Sequence, residues 1–238
     1  MSTCHVDTGG WHVNLDEMIG NLAHVCNRGV EKRKIFLDEH DYSRFRDNLF
    51  LLNNVNGKMR SRERDIRNVT NLKREKLVEI LKWSLLPNHY HLLLYELVEG
   101  GISEFTRRVG NAYTKYFNTK NEGRSGYLFQ NKAKIIPILE EAQFLYIPFY
   151  IDLNSLDARF SNWKVNRPSD SLAIEFLKSY NWSSFRDYFG NGEYSMILNK
   201  ELFYKTFDIT PENYIKEISQ FLTSAAVSTW QVDTVTGI

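Results

Sequence analysis

Cysteine is almost missing from this chain. Its 238 residues include only Cys4 and Cys26, which rules out a disulfide framework and any zinc site built on cysteine spacing. Long apolar runs are missing too. No stretch reaches the ~18 residues that a membrane-spanning helix needs, so no membrane partner is expected. The first residues carry no basic segment followed by an apolar one, so no secretory signal is expected and a reduced, cytoplasmic setting is the default. Net charge is nearly absent: 30 Lys and Arg oppose 29 Asp and Glu, leaving +1. Disorder requires low hydrophobicity with high net charge. Neither holds, because 42% of the residues are hydrophobic and 14% aromatic. The length suits one main domain with appendages.

The charge that is present is unevenly spread. Between Lys58 and Lys76 eight basic residues face three acidic ones, and between Thr106 and Lys134 seven face one. Such clustering suits a phosphate-binding face, and it suits a solvated helix face equally well.

Along the chain, residues 1–20 read as an irregular arm in which His5 and His12 have no metal-site spacing. Leu22 to Asn27 reads as a strand ending at Arg28-Gly29. Residues 40–54 place Tyr42, Phe45, Leu49 and Leu52 at helical spacing. Segment 58–76 reads as a long basic loop. Leu77–Leu86 and His89–Tyr95 read as two strands joined at Pro87-Asn88, a hairpin. A second helix begins near Ser103, with Phe105, Val109, Ala112, Tyr113 and Tyr116 on one side. An extended stretch follows within Tyr127–Ile138, then a helix over 140–154.

The order strand, helix, strand, strand, helix, strand predicts an α+β fold with a ferredoxin-like split βαβ core. Its sheet is expected to be antiparallel, with both helices on one face and the other face free. Three parts are expected: the arm (1–20), a catalytic domain (21–160) and a C-terminal extension packed on the core (161–238).

Two short motifs carry chemistry. In Pro87-Asn88-His89-Tyr90-His91, the strand repeat of two projects His89 and His91 to one face and Tyr90 to the other. Two imidazoles together suit a divalent metal, although a hydrogen-bonded surface pair fits the same residues. In Tyr150-Ile151-Asp152-Leu153-Asn154, helical spacing puts Tyr150 and Asn154 on one face. The Asn154 amide oxygen can then complete a metal site beside a phenol, and ordinary helix packing is the alternative. A tyrosine nucleophile must lose a proton held at a reference pKa of ~10. Pro148 predicts a kink or restart near 144–148, which places Tyr150 in the first turn after a break, where a helix N-terminus favours the phenolate. Tyr113 and Tyr116 lack an amide four residues on. His24 and His40 stand alone and read as core or surface residues.

These motifs resemble the HUH-type single-tyrosine transposases, in particular the REP-associated tyrosine transposases. The matching pieces are Ala23-His-Val-Cys-Asn-Arg-Gly29, Leu86-Pro-Asn-His-Tyr-His-Leu-Leu93, Gly123-Arg-Ser-Gly-Tyr-Leu-Phe-Gln130, Tyr150-Ile-Asp-Leu-Asn-Ser-Leu-Asp-Ala158 and Asn181-Trp-Ser-Ser-Phe-Arg-Asp-Tyr188. The resemblance implies His89, His91 and Asn154 as ligands of Mg²⁺ or Mn²⁺, and Tyr150 as the nucleophile. It also implies cleavage of single-stranded DNA beside hairpins through a 5′-phosphotyrosine link. A homodimer is expected, because one tyrosine holds one DNA end at a time. Two positions depart from the family pattern: Asp152 stands where histidine is frequent, and Ser155 where proline is frequent. Arg28, Arg107, Arg108, Lys115, Arg124, Lys132 and Lys134 are the candidate DNA contacts. A catalytically silent relative that only binds DNA hairpins is the alternative reading.

Overall fold

The computed structural model describes residues 21–57, 66, 74–190 and 192–223. The N-terminal arm and most of the basic segment at 58–76 lie outside the described residues. Four strands form one antiparallel sheet: β1 (Leu22–Arg28), β2 (Val78–Leu86), β3 (His89–Glu96) and β4 (Lys134–Pro137). Their spatial order is β2-β3-β1-β4, the order of a split βαβ core. Leu86 pairs with His89 across the Pro87-Asn88 turn, so the hairpin is as tight as the sequence implies. The turn carbonyls are used immediately: Gly29 N–H donates to Asn88 O at 2.9 Å, and Ile35 N–H to Pro87 O at 2.8 Å. A side chain at Gly29 would put its Cβ 2.3 Å from the Arg33 carbonyl oxygen, which explains a glycine at the end of β1.

Strand alternation sorts the sheet into two faces. Val25, Tyr90, Leu92, Trp83 and Leu85 share one face through direct cross-strand pairing. Helix α1 (Glu39–Leu51) and helix α2 (Gly101–Lys120) pack there. Asp38 caps α1 by accepting from Asp41 N–H, and Phe45 of α1 lies 4.7 Å from the Tyr90 ring and 5.1 Å from the Tyr113 ring of α2 (centroids). In α2 the buried residues Phe105, Val109, Tyr113 and Phe117 recur every four positions, a stripe that faces the core.

The second face, expected to be free, is covered. His24, Cys26, Arg28, Lys82, Ser84, His89 and His91 project there, and nearly every residue of β1, β2 and β3 is buried. The cover begins with α3 (Glu141–Leu153). Its residues from Tyr146 to Leu153 are all buried, the pattern of a helix enclosed on every side. Outside it lie α4 (Asp170–Ser179), α5 (Phe185–Phe189), α6 (Lys200–Phe207) and α7 (Tyr214–Thr223). Phe221 of α7 packs on Tyr146 and Phe149 of α3, with ring centroids at 4.8 and 5.5 Å. The chain also screens the outer edge of β2: Leu85 N–H donates to Trp182 O, and Ser184 N–H to Trp83 O. A paired edge offers no template for a further strand.

Pro148 behaves differently from the expectation. α3 continues as one helix through it and does not restart there. The missing proline N–H is one lost hydrogen bond inside a helix held on all sides by packing, and the packing prevails. Tyr150 therefore stands in the last turn of α3. The negative end of a helix dipole disfavours a phenolate, so the helix terminus gives no help to ionisation.

Candidate active site

The decisive geometry lies between β1, β3 and α3. Cys26 and His91 are direct cross-strand partners, as are Arg28 and His89. The ladder thus gathers two imidazoles, a thiol and a guanidinium on the face that α3 covers. The His89 and His91 rings lie 5.0 Å apart at 85°. Tyr150 brings its ring edge-on to His91, with centroids 5.9 Å apart, and edge-on to His24 at 5.7 Å. Asn154 sits one turn beyond Tyr150 at the helix C-cap in αR conformation, so the spacing of four is real helical spacing. Its carboxamide is 2% exposed, and Nδ2 has no hydrogen-bond partner among the described residues.

Hydrogen bonds engage Nδ1 of both histidines of the pair. His89 Nδ1 lies 2.6 Å from Asn88 Oδ1, and His91 Nδ1 lies 2.9 Å from His24 Nε2. Burial, then the charges of His89, His24, Lys164 and Arg28, hold the His91 pKa well below its usual value. A neutral imidazole is the form that binds a metal. Ligand atoms of His24, Cys26 and His91 all lie within 4.8 Å of one another, and this group could hold a metal ion. That group shares His91 with the predicted ligand set and contains neither His89 nor Asn154. The open concavity lined by Asp170, Ile174, Lys178 and Ser219 shares no residue with this site.

Below the site, α3 is fastened to β2. Lys82 Nζ donates to Asp152 Oδ2 at 2.8 Å across 70 residues of sequence, and both side chains are fully buried. Tyr214 O–H donates to the same carboxylate oxygen, and Lys82 donates to the Tyr214 hydroxyl. The ammonium lies 3.8 Å from the Tyr188 ring centroid and 4.6 Å from that of Phe203, a cation–π enclosure. Burial pushes the Lys82 pKa down to about 8 and raises that of Asp152. One turn on, the Ser84 and Ser155 hydroxyls meet at 2.9 Å. The two departures, Asp152 and Ser155, are thus each matched by a β2 residue, one inside the Tyr150–Asn154 turn and one directly after it.

The candidate DNA contacts fall in different places. Arg28 and Lys134 pair across the ladder with His89 and Cys26, so both belong to the site face. Arg28 Nε is buried with no hydrogen-bond partner among the described residues. Lys132 and Lys134 are exposed. Arg107, Arg108 and Lys115 ride on α2, which packs on the opposite face. Arg107 and Arg108 both grip Glu104, at 2.8 and 2.6 Å, and hold its carboxyl down at about 2. Arg124 donates to Asn118 Oδ1 and to the Tyr127 carbonyl.

Sequence reasoning left out His24, Cys26, Lys82 and Lys164. The Lys164 ammonium stands 5.3 Å from the Tyr150 ring centroid. The alternation of β1 would have placed His24 and Cys26 on the histidine face once the strand order was known. Lys164 carries no local signal, because it comes from the C-terminal cover.

No protein-family model and no curated protein matches the chain. Among solved structures, it is similar to one described as a REP-associated tyrosine transposase bound to a REP hairpin. That likeness has a TM-score of 0.43 and 13% identity, and covers 82% of this chain and 92% of the other. Among the described residues, no helix is long and apolar enough to cross a membrane.

Proposed function

We propose that the chain is a metal-dependent single-stranded DNA transesterase of the transposase type, with Tyr150 as nucleophile and His89, His91 and Asn154 as ligands of Mg²⁺ or Mn²⁺. The observation that carries this reading is the meeting of Tyr150, from the last turn of α3, with His91 of β3 at 5.9 Å. A divalent ion held by His89, His91 and Asn154 would supply positive charge that stabilises the charge developing on the reacting phosphodiester. The protein's own groups do the rest. Tyr150 Oη bonds to phosphorus as the P–O3′ bond breaks, the phenolic proton passes to solvent, and the 3′-oxygen is released as a hydroxyl. The 5′-phosphotyrosine keeps the bond energy, so a second 3′-hydroxyl can reverse the step without ATP. The Lys164 ammonium places positive charge 5.3 Å from the centre of the phenol ring, where a cation attracts a developing phenolate. The unmatched Arg28 Nε is a donor for a phosphate oxygen. DNA hairpins are the proposed substrates, and a homodimer is the proposed form for exchanging two strands.

One observation favours a second reading, a hairpin-binding relative that does not cut. Tyr150 is 0% exposed and His91 1%, so a phosphodiester reaches the phenol only if the cover on this face of the sheet moves. A chain whose cover never opens binds DNA on Arg28 and Lys134 and leaves it intact. The two readings separate on a denaturing gel. Labelled single-stranded hairpin DNA with Mn²⁺ gives a covalent protein–DNA band in the first. In the second it gives salt-sensitive binding and no such band.

A further inference from the structure

We propose that His24 is a positioning residue: it fixes the tautomer and ring plane of His91 so that His91 presents Nε2 as the metal-binding nitrogen. This inference rests on the metal-site reading above and adds a member that neither the paired-histidine motif nor the tyrosine helix contains.

An imidazole binds a cation through a bare nitrogen lone pair, and the hydrogen bond made by its other nitrogen decides which one is bare. An imidazole that binds a cation is neutral and so carries one N–H. His91 Nδ1 lies 2.9 Å from His24 Nε2, with room for one hydrogen between them. If that hydrogen is on His24, His91 carries its proton on Nε2 and that atom cannot bind a cation. If it is on His91 Nδ1, Nε2 is a lone pair.

The neighbouring histidine indicates which arrangement serves the site. His89 Nδ1 lies 2.6 Å from Asn88 Oδ1, an acceptor that places the proton on Nδ1 and the lone pair on Nε2. His24 performs for His91 the service that Asn88 performs for His89, and the two rings then offer the same kind of nitrogen. The ring plane is fixed as well. His24 and His91 stack at 5.1 Å with an interplanar angle of 12°. Tyr150 lies edge-on to both at 84°, so His24 also fixes part of the surface against which the phenol packs.

Cys26 sets the competing assignment. Its sulfur belongs to the same compact group as His24 and His91, and a thiolate with two imidazoles suits Zn²⁺-like ions better than Mg²⁺. In that arrangement His24 is a ligand and not a positioning residue.

The experiment titrates full-length protein with Mn²⁺, without DNA, and follows free Mn²⁺ by electron paramagnetic resonance. It compares the parent chain with His91→Ala, His24→Leu, His24→Gln and Cys26→Ser, each checked for folding by circular dichroism. His91→Ala is expected to abolish binding. His24→Leu is expected to weaken it about 10–100-fold. His24→Gln, whose Oε1 accepts from His91 Nδ1, is expected to recover most of that loss, and Cys26→Ser to leave affinity unchanged. Imidazole nitrogen NMR of the parent chain reads the tautomer without any substitution, and a proton on His91 Nδ1 is the expected result. Unchanged Mn²⁺ affinity in His24→Leu, or a proton on His91 Nε2, overturns the role given to His24 and leaves the metal site standing. A thiolate-to-metal absorption band on adding Co²⁺, lost in both Cys26→Ser and His24→Leu, overturns it by making His24 a ligand. Failure of the parent chain to bind Mn²⁺ overturns the metal site and the role of His24 together.

Discussion

Removing either partner of the Lys82–Asp152 pair tests how the tyrosine helix is held. Both side chains have no solvent exposure, so screening by water does not discount the interaction. Breaking a buried ion pair from one side leaves an uncompensated charge, at a cost of about 3–5 kcal/mol. Lys82→Met abandons Asp152 beside Tyr214, and Asp152→Leu abandons Lys82 inside the enclosure of Tyr188, Phe203 and Tyr214. For a chain of this size each kcal/mol lowers the melting temperature by ~2–4 °C, so each single variant is expected to melt roughly 6–20 °C below the parent. The double variant is expected to recover most of the loss, because apolar side chains of similar volume replace a buried pair at little net cost. The assay is urea and thermal unfolding at pH 7 followed by circular dichroism, read as a double-mutant cycle. Single losses below ~1 kcal/mol, or a double loss equal to the sum of the singles, would refute the claim that this pair fastens α3 to β2.

The same lysine has a pH signature. Its folded pKa of about 8 lies below its unfolded value of 10.5, so between those limits the unfolded chain binds a proton that the folded chain has released. Stability from this group therefore rises with pH across that window. Raised tyrosines act the other way above pH 10, as with Tyr42, which burial pushes up to about 12. The difference in stability between the parent and Lys82→Met is expected to grow from pH 8 to 10, and urea midpoints that show a flat difference would contradict it. Ser155→Ala leaves the Ser84 hydroxyl without its buried partner and is expected to destabilise by ~1–3 kcal/mol, with the Ser84→Ala/Ser155→Ala pair losing less than the two singles combined. Arg28→Gln is expected to weaken single-stranded DNA binding and lower the salt slope by ~0.7. Arg107→Gln, on the face opposite Tyr150, is expected to change neither, and binding isotherms at several salt concentrations distinguish the two.

Much of the core was legible because it is written in local periods. The alternation through His89-Tyr90-His91 sends Tyr90 to the helices and the imidazoles to the other face. The four-residue stripe of α2 marks its buried side. The groups that escaped notice act across long stretches of sequence. Lys82 carries no local signal, and its partner Asp152 reaches it from 70 residues away. His24 reads as a lone histidine until strand pairing stacks it on His91, 67 residues on. The free sheet face was a wrong expectation for the same reason. Nothing in the alternation of β2 states that α3 and the C-terminal helices lie over it. The helix does not restart at Pro148, an outcome that a local rule about helix breaking misses because it omits the packing around Phe149 and Tyr150.

The most direct test of the central claim incubates the parent chain and Tyr150→Phe with end-labelled single-stranded hairpin DNA and Mn²⁺, followed by a denaturing gel. The expected result is a covalent protein–DNA band in the parent, absent from Tyr150→Phe although both bind the DNA. A band that persists in Tyr150→Phe, or a parent chain that binds the hairpin with Mn²⁺ present and forms no adduct, would contradict the assignment of Tyr150 as nucleophile.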